Sequence, residues 1–166
     1  MSNLFNITDF NINDTIQQKF LCKKHNGQNI FPNLYWKINN NKKSEIDFYT
    51  LIMEDPDAPS GTFVHWYIPF IPKKFNYISK NNINELLVGY NSLNEKKYHG
   101  SCNPENKIHN YNFYLYGIKG DLDKQDNNMK KEFINTKSSN TYELLLKKNN
   151  LKIIFKKNKK FQYKSS

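Results

Sequence analysis

The segment "EDPDAPSGTFVHW" (54–66) holds more chemically distinct residues than any other part of a chain rich in Asn and Lys. Asp, Pro, Ser and Gly each favour turns. The run that follows, "FVHWYIPFI" (63–71), has the apolar and aromatic composition of a β-strand. The segment therefore predicts a turn that leads into a strand. What remains open at this point is whether the turn only connects strands or also forms the rim of a site.

Further short apolar runs, interrupted by Pro, Gly and Asn, predict a β-rich domain rather than a βαβ repeat. The predicted strands are "TIQQKFLCKKH" (15–25), "NLYWKI" (33–38), "IDFYTLIM" (46–53), "YNFYLYGI" (111–118) and "LKIIF" (151–155). The segment "NNNKKS" (39–44) reads as the polar turn of a hairpin.

Helices are predicted mainly near the C-terminal end. The segment "DLDKQDNNMKKEFINT" (121–136) carries apolar residues at loosely helical spacing. The segment "NTYELLLKK" (140–148) offers an Asn or Thr N-cap, with Glu143 at a capping-box distance. A short helical turn is also expected within "NINELL" (82–87).

The charge distribution is uneven. The chain of 166 residues carries a net charge of +10, and all 25 of its basic residues are lysines. No acidic residue follows Glu143, and eight lysines lie beyond it. We therefore expect one domain over 1–157 and a solvated basic tail over 158–166. A tail of this kind could also attract nucleic acid or an anionic membrane surface, but specific base reading favours arginine and is not expected.

The N-terminus lacks a basic segment followed by an apolar run, and no apolar stretch approaches the length of a membrane span. These features predict a soluble, cytoplasmic protein. Cys22 and Cys102 are the two cysteines, and in a reducing compartment a disulfide between them is not expected.

Five residues could form one polar pocket if their strands pair: Asp55, Asp57, His65, His109 and Tyr111. His109 and Tyr111 are two apart and project from the same face of an extended chain. Imidazole and phenol groups donate hydrogen bonds to anions such as phosphate, and the aspartates would orient the histidines. Each residue also has a purely structural explanation, as part of a turn or of the core. No local ligand spacing favours zinc, so no metal or other cofactor is expected.

The order of three motifs is more specific than any single residue. The segments "GQNIFPNLYW" (27–36), "DPDAPSGTFVHW" (55–66) and "GYNSLNEKKYHGSCNPENKIHNYNFYLYGI" (89–118) occur in the order found in one known family. They closely resemble the phosphatidylethanolamine-binding protein family, in particular its bacterial-type branch, and the resemblance covers about residues 15–155.

This resemblance implies a mainly β fold of two antiparallel sheets with Greek-key topology and a few peripheral helices near the C-terminal end. It implies a small pocket for phosphate or a phosphoethanolamine head group, formed by Asp55, Asp57, His65, His109 and Tyr111 together with the backbone of Gly100. It also implies a cis Ala58–Pro59 bond. The chain departs from the family pattern at three places: Asn110 replaces an arginine, Asn103–Pro104 replaces a Pro-Pro pair and Phe31 replaces a serine.

The leading functional hypothesis is a non-enzymatic protein that binds phosphate-type anions, phosphorylated side chains or phospholipid head groups. The resemblance implies a regulatory role towards a kinase, or inhibition of a serine protease. A phosphoester hydrolase that uses His65 or His109 with an aspartate is the alternative, although no nucleophile is evident. Binding of nucleic acid or a membrane surface through the Lys-rich tail is a third possibility.

Overall fold

The computed structural model describes residues 2–10, 15–104, 106–121 and 127–165. Within them the chain forms seven strands and three α-helices. The strands are β1 (Leu4–Ile7), β2 (Leu34–Lys37), β3 (Phe48–Asp55), β4 (Phe63–Pro72), β5 (Tyr77–Ile78), β6 (Ile108–Lys119) and β7 (Lys152–Lys164). The helices are α1 (Asn40–Lys43), α2 (Asn127–Ile134) and α3 (Ser139–Lys148).

The strands form two antiparallel sheets, which confirms the predicted fold class. The smaller sheet has the order β1-β2-β5 and the larger one the order β4-β3-β6-β7. Strand β3 lies between β4 and β6, and all eight of its residues are buried. The chain leaves β4 and returns as β6 on the other side of β3, so β6 comes next to the end of β3 although the two strands are distant in sequence.

The larger sheet is covered on both faces. Residues of one face, including Tyr49, Leu51 and Phe113, pack in one apolar cluster with Leu34 and Trp36 of the smaller sheet. The opposite face forms a second cluster with residues of helices α2 and α3. Three layers of this kind bury side chains on both sides of β3, which explains why apolar residues occupy consecutive positions from Leu51 to Met53 rather than alternating with polar ones.

Two predictions about the N-terminal half were wrong. Residues 15–25 do not form a strand: they contain two 3₁₀ turns, at Gln18–Phe20 and Lys23–His25. Their apolar side chains, Phe20 and Leu21, point into the core from a loop. Residues 39–44 are not a hairpin turn either, because they contain helix α1 and connect strands that belong to different sheets.

The C-terminal helices follow the prediction with shifted ends. Helix α2 covers the second part of the predicted 121–136 helix, whereas residues 122–126 lie outside the described part of the chain. Helix α3 is capped by Ser138, whose side chain accepts a hydrogen bond from the Thr141 backbone N–H, rather than by Asn140 or Thr141 as expected. The predicted turn at 82–87 is a 3₁₀ turn at Ile83–Glu85. None of the described helices is long and apolar enough to span a membrane.

The segment expected to be a tail continues the sheet. Strand β7 extends to Lys164 and pairs with β6 along its whole length, from Lys119↔Lys152 to Ile108↔Lys164. Phe161 is buried and contacts the rings of Phe10 and Phe113. Residues 158–164 are therefore part of the domain, and their lysines lie on its outermost strand.

Two expectations about covalent geometry were also wrong. Cys22 and Cys102 form a disulfide with a Cα–Cα distance of 5.5 Å, because the loop after the first 3₁₀ turn and the loop before β6 lie side by side. No cis peptide bond occurs among the described residues, so Ala58–Pro59 is trans. The turn is shaped instead by hydrogen bonds from the Asp57 N–H to Asp55 Oδ1 (2.8 Å) and from the Gly61 N–H to the Ala58 carbonyl (3.1 Å).

Candidate functional site

Four of the six predicted site residues line one cavity at an end of the larger sheet. Asp55 ends β3, His65 lies in β4, and His109 and Tyr111 lie in β6. Antiparallel pairing of β3 with both neighbours brings these positions together. The cavity has a volume of about 310 Å³, which is at the lower end of the range for small-molecule sites.

Asp55 and His109 form a buried pair at the base of this cavity. His109 Nδ1 lies 2.7 Å from Asp55 Oδ2, and because an ionised carboxylate only accepts hydrogen bonds, Nδ1 carries the proton. Burial raises the pKa of Asp55, and the hydrogen bond from His109 opposes that shift. The other ring nitrogen of His109, Nε2, donates to a ligand when the ring is protonated and accepts when it is neutral.

His65 is a neutral hydrogen-bond acceptor. Burial lowers its pKa to about 3, so the ring is uncharged at neutral pH. Its Nδ1 lies 2.8 Å from the His99 carbonyl oxygen, which can only accept, so Nδ1 carries the proton and Nε2 has a free lone pair. The sequence predicts that His65 donates to an anion; its one N–H group is instead bound within the protein.

The hydroxyl group of Tyr111 also forms its hydrogen bond within the protein. Its hydroxyl group donates to Asn103 Oδ1 at 2.9 Å, and burial raises its pKa, so it stays protonated. Asn103 in turn donates to the Lys107 carbonyl at 2.7 Å. These bonds hold the loop before β6 against the cavity, and the expected role of Tyr111 as a free donor does not match this geometry.

Asp57 does not line the cavity and instead stabilises the turn after β3. Its Oδ2 accepts hydrogen bonds from the Asn110 backbone N–H (2.7 Å) and from Asn110 Nδ2 (2.9 Å). The backbone hydrogen bond is the main reason why the pKa of Asp57 is lowered. Asn110 therefore supplies two neutral donors at the position where the family pattern has an arginine, and the turn after β3 stays attached to β6.

Gly100 is a packing residue in this structure. Its N–H donates to Asn29 Oδ1 at 2.6 Å, and it is absent from the cavity lining. A Cβ atom at this position would overlap the backbone of Phe20–Cys22. The glycine thus allows two loops to approach closely, and its N–H is not available to a ligand.

The rim of the cavity consists of residues that sequence reasoning did not assign to the site. His99 lines the wall, and burial lowers its pKa. It stands directly before Gly100, so the downstream motif that contains it could have indicated it. The remaining lining residues are mostly apolar or small: Ala58, Pro59, Ser60, Phe63, Leu93, Cys102, Asn103 and Pro104. The buried base is therefore polar, whereas the outer part, with Leu93 47% exposed, is largely apolar.

The fold and this cavity agree with comparisons to known proteins. The family model described as phosphatidylethanolamine-binding protein matches residues 6–156. The chain belongs to the phosphatidylethanolamine-binding protein family. The match stops within β7, although the strand itself continues to Lys164.

Relatives and solved structures give the same result. A UPF0098 protein from Methanothermobacter thermautotrophicus is 33% identical over 120 residues, which cover 69% of this chain and 75% of that protein. A UPF0098 protein from Aquifex aeolicus is 29% identical over 115 residues, or 66% of this chain and 62% of the relative.

Two crystal structures superpose on nearly the whole chain. One is of a Chlamydia trachomatis protein described as a homologue of phosphatidylethanolamine-binding proteins, with a TM-score of 0.73 and 21% identity. The other is of E. coli YbcL, described as a member of the mammalian family, with a TM-score of 0.73 and 18% identity. Each comparison covers 99% of both chains. At these identities the likeness concerns the fold.

Proposed function

We propose that this protein is a non-enzymatic binding protein whose cavity takes a phosphate monoester attached to an apolar group. The observation that carries the proposal is the layered cavity: Asp55, His65 and His109 are buried at its base, and apolar side chains surround its opening. A phosphorylated aromatic side chain presents such a monoester next to apolar atoms, whereas the phosphodiester of a phospholipid head group has no P–OH group.

The hydrogen-bonding pattern at the base favours a protonated phosphate. His65 Nε2 is an acceptor, so it needs a donor on the ligand, and the P–OH group of a monoester monoanion supplies one. The charged oxygens of the same group accept from His109 Nε2–H when that ring is protonated. The neighbouring Asp55 carboxylate then balances the imidazolium charge. Binding of a phosphate monoester should accordingly tighten as the pH falls through the second pKa of the ligand, about 6.

The opening provides contacts for the ester group. Phe63 and Leu93 both line the cavity, and the ring of Phe63 packs at a tilt against that of His65 with centroids 4.6 Å apart. An apolar ester substituent that covers these side chains would gain binding energy in proportion to the buried area. The site should therefore bind phenyl phosphate more tightly than inorganic phosphate.

Calorimetric titration with phenyl phosphate, phosphoethanolamine and inorganic phosphate tests the proposal. Leu93→Ser should weaken the binding of phenyl phosphate about fivefold, which corresponds to about 1 kcal/mol of lost apolar contact. The affinity for inorganic phosphate should stay unchanged. Leu87→Ser is the matched control, since Leu87 is 41% exposed and lies outside this cavity. Absence of binding by all three ligands, or an equal effect of the two leucine variants, would contradict the proposal.

A phosphorylated side chain on another protein would offer the same chemical group. The family resemblance implies a kinase or a serine protease as the partner. A phosphotyrosine peptide that competes with phenyl phosphate would support a role in kinase signalling. Inhibition of a serine protease that persists in the presence of saturating phenyl phosphate would instead indicate a separate surface.

The Asp55–His109 pair favours a second candidate, a phosphoester hydrolase. A carboxylate that orients an imidazole is the arrangement of a general base. Incubation with an aryl phosphate, with and without divalent metal ions, separates the two functions. Turnover that Asp55→Asn abolishes would favour the enzyme, whereas binding without turnover supports the proposed role.

A further inference from the structure

We infer that the reduced protein binds one Zn²⁺ ion through Cys22, His25 and Cys102. Among the described residues, these three form the one grouping of His, Cys, Asp or Glu whose ligand atoms could hold a metal ion, with all three atoms within 4.8 Å of one another. Two thiolates and one imidazole are a ligand set typical of zinc. The site lies outside the polar base of the cavity and requires no phosphate ligand.

The tautomer of His25 suits metal coordination. Its Nε2 lies 2.8 Å from the Asn103 carbonyl oxygen, which can only accept, so Nε2 carries the proton and Nδ1 has the free lone pair. Histidines that ligate metals commonly donate the other ring N–H to a backbone carbonyl in this way, which orients the ring and raises its basicity. The ring of Tyr163 packs edge-on against His25 with centroids 5.8 Å apart and restricts its rotation further.

The three residues stay together without the disulfide, because other bonds hold the two loops. The Cys22 N–H donates to the Ser101 carbonyl (3.1 Å), and the Tyr98 hydroxyl group donates to the Phe20 carbonyl (2.7 Å). The Gly100 N–H donates to Asn29 Oδ1 (2.6 Å). Ligand atoms around tetrahedral zinc are roughly 3.5–4 Å apart, so small side-chain rotations are sufficient to close the site.

Conversion of the disulfide form into the zinc-bound form is balanced in electrons and protons. A dithiol reductant transfers two electrons and two protons to the Cys22–Cys102 bond, which gives two thiols and an oxidised dithiol. Zn²⁺ then displaces the two thiol protons, and the resulting thiolates offset its charge. Three protein ligands and one water complete a four-coordinate site. Because Cys102 also lines the cavity, either the disulfide or the metal fixes the same section of the cavity wall.

Titration of the full-length protein with Zn²⁺ against a colorimetric chelator tests this inference. The reduced protein should bind one Zn²⁺, and Co²⁺ in its place should give thiolate charge-transfer absorption in the near ultraviolet. The disulfide form should show neither. His25→Ala should lower the affinity for Zn²⁺ by at least about tenfold, since even the loss of a residue that only orients a metal ligand typically lowers metal affinity by that factor.

Lys24→Ala is the matched control, because this neighbouring side chain is exposed and belongs to the same 3₁₀ turn. Circular dichroism of each reduced sample establishes that the fold is retained. The inference is overturned if the reduced protein binds no Zn²⁺, if His25→Ala binds it as tightly as Lys24→Ala, or if the disulfide form binds it equally well. A reduced chain that unfolds even with Zn²⁺ present would overturn it as well.

Discussion

At the scale of single residues, burial changes the chemistry of His65 more than its neighbours in sequence do. The side chain is 3% exposed, and its pKa falls to about 3. A histidine in this state accepts a hydrogen bond from a ligand and carries no charge at neutral pH. Its position therefore favours a ligand that brings a proton, which is the basis for expecting a phosphate monoester rather than a permanently deprotonated anion.

The lowered pKa of His65 predicts a loss of stability in acid. Below about pH 6.5 the unfolded chain takes up a proton at His65 that the folded chain does not. Stability that is present above this pH is therefore lost as the pH falls towards about 3. This residue should contribute a slope of up to about 1.4 kcal/mol per pH unit. Urea unfolding of the wild type and of His65→Gln across this range measures it, and parallel pH profiles would contradict the prediction.

Gly100 gives a second prediction at this scale. Because a Cβ atom would overlap the backbone of Phe20–Cys22, Gly100→Ala should lower the free energy of unfolding by about 1–3 kcal/mol or more. Lys24→Ala, an exposed substitution nearby, should change it by less than about 0.5 kcal/mol. Equal urea midpoints for the two variants would show that the loops do not pack as closely as described.

At the scale of elements, strand β7 changes the interpretation of the basic segment. The lysines after Glu143 are not carried on a solvated tail: those from Lys152 to Lys164 belong to a strand that pairs with β6. Charged side chains on an outermost strand oppose pairing with other chains. This structural role accounts for the charge without a nucleic-acid or membrane partner.

Truncation after Lys157 distinguishes a strand from a tail. The truncated chain loses Phe161 from the core, and Ile108–Tyr114 of β6 lose their partners in β7. Loss of one buried Phe side chain alone costs about 3–5 kcal/mol, a large share of the total stability of a typical domain. We therefore expect the truncated chain to unfold at much lower urea concentration.

The matched control for this truncation removes charge and keeps the strand. Lys160→Gln with Lys164→Gln changes two exposed side chains and should keep the unfolding free energy within about 1 kcal/mol of the wild type. A truncated protein that is as stable as the wild type would support the original prediction of a tail.

The strands were largely predictable from sequence, and the loops were not. Runs such as 46–53 and 63–71 are long, apolar and aromatic, so their local pattern and their final environment agree. Residues 15–25 have a similar composition, but Phe20 and Leu21 are buried from a loop that the disulfide and hydrogen bonds hold in place. Those contacts come from residues about 80 positions away, and no local pattern contains them.

At the scale of the whole molecule, the fold determines which motif residues face the cavity. The sequence predicted that Asp55, His65, His109 and Tyr111 meet, and the structure places them around one cavity. It could not predict that Asp57 bonds to Asn110 or that the Tyr111 hydroxyl bonds to Asn103. The motifs indicate which groups come together, whereas the direction of each hydrogen bond depends on carbonyl and amide groups supplied by other loops.

In the proposed function, the cavity binds a phosphate monoester and His65 accepts the proton of its P–OH group in a hydrogen bond. This binding mode is tested by calorimetric titration of the wild type with phenyl phosphate and with phenyl sulfate. The titration is done at about pH 6, the second pKa of a phosphate monoester. The two ligands share their shape, but the sulfate ester has no proton to donate. We predict that phenyl phosphate binds at least about tenfold more tightly, since an unpaired buried acceptor costs about 1–3 kcal/mol. Equal affinity for both ligands, or binding of neither, would contradict this role of His65.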